Sequence, residues 1–345
     1  MAYVYNTSIP TSAGFNAQLY DMVMSPDEST IYAVAFQSFA TPADTFLVID
    51  TATLAQTGAI DLYTVGGYRG ARSIDISPDG ATAYVTCFTS NKVIAIDTGT
   101  LTIVDSATIP SAGGVAVSPD GTIVWVIKFS NFAGKLYKRD AAALGTDLGV
   151  TLSNPFSWPP GPSFDPNTGF LSVIASQDGN FVYIPAWQFT GSGTFNFTGI
   201  SKVDAVVTDP AMLGLAKSMG EQDQGFSAIT ISPDGAKLYG VSSLVDTWIF
   251  TVDVATLSPT SGKRLGSSNY SVALEMSDDG STLFIADYFT AAAGGLQTMD
   301  TVSGQLSLPY PIPFSFLASV VSLSDMSRVF LGSQQTSAIA VMDVV

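Results

Sequence analysis

Three acids stand where carboxylate chemistry could occur. Asp21, Asp75 and Glu275 each lie inside a short alternating apolar segment rather than in a polar loop. Arg69 and Arg72 precede the segment that holds Asp75. Carboxylates in such places can polarise a water or hold calcium through oxygen ligands. An arginine converging with them would complete a hydrolase site. The rest of the usual catalytic repertoire is absent. The chain has no histidine and one cysteine, which removes a Ser-His-Asp triad, a Cys-His pair, a histidine-ligated metal and a zinc–thiolate centre. Cys87 has no second cysteine to pair with and reads as a small buried apolar residue. No Gly-rich phosphate loop stands between a strand and a helix. The expectation is therefore no cofactor, with calcium the one left open.

Charge narrows the partners. Thirteen basic residues against 29 acids give a formal net charge of −16, which repels nucleic-acid phosphates and anionic lipid heads. No apolar run approaches the ~18 residues that would span a membrane. The first residues, Met1-Ala-Tyr-Val-Tyr, lack the basic start and apolar core of a signal peptide. The expectation is a chain used without Sec export or one whose leader has been removed. A Ser/Thr-rich composition poor in lysine favours an extracellular surface or a virus particle.

The elements that position the acids repeat. Serine followed within two residues by Asp recurs at Ser25, Ser77, Ser118, Ser176, Ser232, Ser277 and Ser324, with the last shortened to Ser-Asp-Met. A second marker alternates with it, an Asp closing a short apolar run: Asp50, Asp97, Asp140, Asp204, Asp253, Asp300 and Asp343. Seven alternating pairs, 41 to 58 residues apart, are the signature of propeller blades with several short strands each. In Ser-Pro-Asp-Gly, proline pre-sets φ, Asp suits the next position and glycine accepts the left-handed conformation, so each segment is a hairpin turn.

The flanks alternate with period two, as strands do. Just before the turn stand Met24, Ile76, Val117, Ala175, Ile231, Met276 and Leu323, and two positions earlier Met22, Ile74, Val115, Val173, Ile229, Leu274 and Val321. Small residues such as Ser73, Gly114 and Ala273 sit one position before these, which suits an innermost strand where blades converge. After each turn comes an aromatic: Tyr32, Tyr84, Trp125, Tyr183, Tyr239, Phe284 and Phe330. These are expected to pack blade on blade.

Residues 83–104, AYVTCFTSNKVIAIDTGTLTIV, resemble the YVTN-family β-propeller repeat. Tyr84-Val85-Thr86 matches its name, with Cys87 in the asparagine position, and Asp97-Thr98 with Thr100-Leu101 matches its turn. The likeness is diluted in the third and fourth units. The resemblance implies a propeller. It leaves function open, because that family includes surface-layer, adhesive and binding proteins and related propellers include lactonases.

The expected architecture is an all-β, seven-bladed propeller of four-stranded antiparallel blades over residues 1–345, with blades starting near residues 19, 71, 112, 171, 226, 271 and 317. The chain ends just after a third strand, so residues 2–9 are expected to supply the missing outer strand of blade 7 and close the ring. Serine turns then fall on one face and the longer between-strand loops on the other. The loop face carries aromatic, nearly uncharged segments: 154–170, 185–199 and 308–316. Phe156, Trp158, Phe164, Trp187, Phe189, Phe195 and Phe197 are expected to form one raised binding patch. The function this supports is a non-enzymatic scaffold for other proteins, copies of itself or glycans. The alternative is a lactonase-type hydrolase using the channel carboxylates with Arg69 or Arg72.

Overall fold

The computed structural model describes residues 1–12, 18–36, 44–128, 135–148, 172–190, 194–205, 212–217, 226–242, 247–266, 271–287, 295–313, 317–334 and 336–345. Their strands form seven four-stranded antiparallel sheets. The innermost strands are Gln18–Met24, Ala71–Ile76, Ala112–Val117, Ile174–Ala175, Phe226–Ile231, Ser271–Met276 and Leu317–Ser322. In blades 1 to 6 the chain then steps outward strand by strand. Blade 7 instead takes its outer strand from the other end of the chain. Tyr3–Pro10 pairs antiparallel with Ala338–Val344, from Tyr3 opposite Val344 to Pro10 opposite Ala338. This closes the ring and leaves no half-built blade to expose its edge.

Apolar cores lie in the seams between blades. Ile9, Leu19, Met22, Phe330 and Ile339 join blades 7 and 1, and comparable clusters fill each of the six other seams. The repeated aromatic belongs to these seams. Trp125, Tyr183, Tyr239, Phe284 and Phe330 are among the largest fully buried side chains. Polar bonds lock the same seams to a repeated carbonyl just after the third-strand Asp. Tyr84 donates to Ala141 O (3.0 Å), Lys138 to Ala205 O (2.8 Å) and Arg328 to Thr51 O (3.2 Å).

The serine turns are built alike in six blades. Ser25 Oγ donates to the Asp27 carboxylate at 2.6 Å, and the Thr30 amide donates back to Ser25 Oγ at 3.0 Å. The same pair of bonds recurs at Ser77, Ser118, Ser176, Ser232 and Ser277. Glycine closes five of these turns with φ between 68° and 73°. Blade 7 departs from the sequence reading. Its turn starts at Leu323, not Ser324: the Leu323 amide donates to Arg328 O and the Met326 amide to Leu323 O, as Ser25 and Glu28 do in blade 1. Phe330 then falls at the same offset as the other aromatics. The residues before this turn are Ser322 and Val320, so the apolar column is broken there. Ser-Asp imitates the start of the repeat one residue late, and the backbone bonds decide the register.

Two further segments differ from expectation. Within 185–199, residues 185–190 and 194–199 are not loop but strand, the upper parts of Phe181–Thr190 and Thr194–Asp204, which pair with each other. Within 308–316, Tyr310–Pro311 is the short outer strand of blade 6, pairing with Gly295–Leu296. A single helical turn, Leu62–Gly66, links blades 1 and 2, with the Asp61 carboxylate capping it through the Thr64 amide.

Candidate functional site

The seven innermost strands enclose an axial cavity of about 680 Å³. Asp21, Arg72, Asp75 and Glu275 all line it. The three acids do so because period-two alternation turns one face of each innermost strand to the axis, whereas Arg72 stands at the register shift between Ala71 and Ser73. The acids are not equivalent. The Asp21 carboxylate accepts from Ser73 Oγ (2.9 Å), the Ile74 amide (3.1 Å) and the Met22 amide (3.0 Å). Asp75 accepts from the Val117 amide (2.7 Å) and the Ile76 amide (2.8 Å). Each therefore clasps its own blade to the next, Asp21 from blade 1 to blade 2 and Asp75 from blade 2 to blade 3. Glu275 occupies the same turn-relative position as Asp75, yet no hydrogen bond reaches it among the described residues.

Burial dominates the titration of all three. It pushes Asp21 up to about 7, against the pull of its three donors and with a further push from Asp75. Asp75 is raised to about 6, again by burial against its two amide donors. Glu275 is raised to about 8 by burial and then by the negative charges of Asp278 and Asp21.

The two arginines are placed differently from each other. Arg72 lies on the innermost strand of blade 2 rather than in the loop before it, with its guanidinium 4.3 Å from the Phe88 ring centre and 5.8 Å from that of Tyr20. It sits three residues toward the loop face from Asp75, roughly 10 Å of extended chain. Glu275 also lines a second cavity, at the serine-turn end. Arg69 is not among the cavity-lining residues and stacks on Tyr63 at 4.6 Å. Among the described residues, no three acids are grouped so as to hold a metal ion.

One buried acid carried no signal in the sequence. Asp44 is fully buried, and its carboxylate accepts from the Gly70 amide (2.9 Å) and the Ala71 amide (3.3 Å). Burial raises it to about 6 despite those donors and the nearby Arg69 charge. It clasps blade 1 to blade 2 on the loop side, as Asp21 does in the channel. Its donors are main-chain groups of a different blade, which no local motif announces.

On the loop face, Phe156, Trp158 and Phe164 lie outside the described residues. Trp187, Phe189, Phe195 and Phe197 belong to the blade 4 hairpin. Its backbone places Trp187 opposite Thr198, Gln188 opposite Phe197 and Phe189 opposite Phe195, with a register shift between Gln188 and Phe189. The outer strand of blade 4, Met212–Lys217, stops pairing at Gly199. Among the described residues, four rungs, from Trp187–Thr198 to Thr190–Thr194, therefore continue beyond the rest of the sheet, an arm of roughly 13 Å at strand geometry.

No protein-family model matches the chain, and no curated protein matches it. A solved structure of hydrazine synthase from Kuenenia stuttgartiensis superposes with a TM-score of 0.75 at 14% identity, over 100% of this chain and 99% of that one. The likeness is one of fold. At that identity it says that the backbone is a propeller and leaves chemistry to the residues above. No helix among the described residues is long and apolar enough to cross a membrane.

Proposed function

We propose that this propeller is a non-enzymatic scaffold that docks other proteins through its loop face, with the blade 4 hairpin as the contact arm. The observation that carries this reading is the four-rung overshoot of Phe181–Thr190 and Thr194–Asp204 past the strands that flank them. A closed ring of seven packed seams is a rigid base, and the two-stranded backbone of the arm continues from it. The sequence of that arm, Trp187, Phe189, Phe195 and Phe197, is the composition of an interface centre. The resemblance of residues 83–104 to the YVTN repeat agrees with a role at an extracellular layer or particle surface. The hydrolase reading is not favoured, since Arg72 and Glu275 lie toward opposite ends of the channel and Arg69 lies outside its wall.

Ala186 and Gly199 face each other directly, so residues 187–198 can be replaced by Asn-Gly, a two-residue hairpin turn. The partner is first identified by cross-linking in the native source and then purified. Affinity for it is expected to fall at least tenfold in the shortened chain, with the melting temperature unchanged. Unchanged affinity would refute the reading. Binding that follows glycan rather than protein on the isolated partner would reassign the arm to glycan recognition.

A further inference from the structure

Successive serine turns touch one another at one mouth of the channel, closely in three pairs and at 3.9 Å between Pro119 and the β-carbon position of Gly179. The proline of one turn lies against the glycine of the next. A β-carbon on the glycine would stand 3.2 Å from the proline ring for Gly80 and Pro26, 3.2 Å for Gly121 and Pro78, and 3.1 Å for Gly280 and Pro233. Two turns that keep the Asp-Gly ending lack proline: Gln177 replaces it in blade 4 and Asp278 in blade 6. After Gln177 the contact is lost, and a β-carbon on Gly235 would meet nothing within 4 Å.

The break opens on a cavity of about 510 Å³ lined by Gln177, Thr230, Ile231, Pro233, Glu275 and Asp278. Both turn positions that depart from proline thus face one hollow, together with the only channel acid that makes no hydrogen bond among the described residues. Glu275 borders the axial cavity as well, so a group bound to it would sit at the threshold between the two. Among the described residues no lysine or arginine lines this hollow, and the chain carries a net charge of −16, which concentrates cations at such a mouth.

We propose that this mouth binds a primary alkylammonium group, with the Glu275 carboxylate as its counter-ion. Ile231 and Pro233 offer apolar wall to the alkyl stem, and the side-chain oxygens of Gln177 and Thr230 are acceptors for ammonium protons. Asp278, on the turn of the same blade, and Asp21, on blade 1, are the charges that act on Glu275. Together with burial they hold it protonated at neutral pH, so the incoming cation displaces its proton. Binding therefore tightens as pH rises through about 8.

The probe is n-butylammonium chloride, titrated calorimetrically into the whole chain at pH 6 and pH 9, with sodium chloride holding ionic strength constant. Saturable binding is expected at pH 9, at least threefold weaker at pH 6, and abolished in Glu275→Gln. Gln177→Pro gives blade 4 the proline that other turns carry, preserves the turn and closes the gap, and it too should abolish binding. Uncharged n-butanol should not bind. The proposal is overturned if n-butanol or sodium chloride reproduces the heat, if either variant binds as the parent does, or if pH 6 and pH 9 give the same constant. None of these outcomes depends on the blade 4 arm.

Discussion

Pro26 of the first serine turn lies 3.2 Å from the point where a β-carbon on Gly80 of the second would stand, and Gly80 has φ of 73°. Turn chemistry and blade packing therefore make the same demand of one residue. A left-handed φ already favours glycine, and a β-carbon there would require the neighbouring proline to give by a few tenths of an ångström.

Gly80→Ala should destabilise the propeller by about 1–2 kcal/mol, more than Gly235→Ala, which meets the φ cost alone because the space beside Gly235 is open. Urea midpoints of the two variants check this. Equal midpoints would mean that the proline contact relaxes freely.

Closure of the ring rests on Tyr3. Its ring packs edge-on against Phe284 and Tyr310, each at 5.8 Å, and its hydroxyl donates to Met326 O at 2.9 Å. Tyr3→Phe should cost about 1 kcal/mol for the lost bond, and Tyr3→Ala about 3–5 kcal/mol as a buried aromatic truncation. Deleting residues 1–9 should cause aggregation or a large fall in melting temperature. A truncated chain as stable and monomeric as the parent would refute the closure role.

Stability should have two pH limbs. Glu275, Asp21 and Asp75 titrate higher folded than unfolded, at about 8, 7 and 6. Their neutral forms are the ones the fold prefers. That contribution is complete below the ordinary carboxylate range, declines as pH rises out of that range, and is fully lost once pH has passed the folded values of about 6 to 8. The exposed turn acids Asp27, Asp79 and Asp234 behave oppositely. Bonds from the turn serines, and from the amide two residues beyond each Asp, hold them low, so their contribution is lost as pH falls through and below that range. Melting temperature should peak near pH 5. Glu275→Gln, permanently neutral, should match the parent only at or below the ordinary carboxylate range, already exceed it at pH 6 and exceed it most at pH 9. A parent curve flat from pH 6 to 9 would contradict this.

Cys87 is fully buried between blades 1 and 2, and burial pushes its thiol well above the ordinary range. It should resist thiol reagents in the native state and label only when the seam opens. Labelling that follows global unfolding in denaturant, measured by mass shift, is the expected result. Rapid labelling in water would show that the seam between blades 1 and 2 breathes.

Much of this was legible in the chain because it is local. A Ser-Pro-Asp-Gly turn, alternation on either side of it and an aromatic at a set distance are read within a dozen residues. Their sevenfold recurrence, with a spare strand before the first unit, determines a closed seven-bladed ring. The placing of Asp21, Asp75 and Glu275 on innermost strands follows from the same alternation. What each acid does was decided by the tertiary structure. Asp21 and Asp75 meet donors 52 and 42 residues away in the chain, Asp44 meets Gly70 across a seam, and Glu275 meets none among the described residues. The register of the last turn was decided the same way. Ser324 carries the expected residue type, but pairing of Leu323 with Arg328 sets the hairpin one residue earlier, because backbone bonds and the seam around Phe330 outweigh a single side-chain cue.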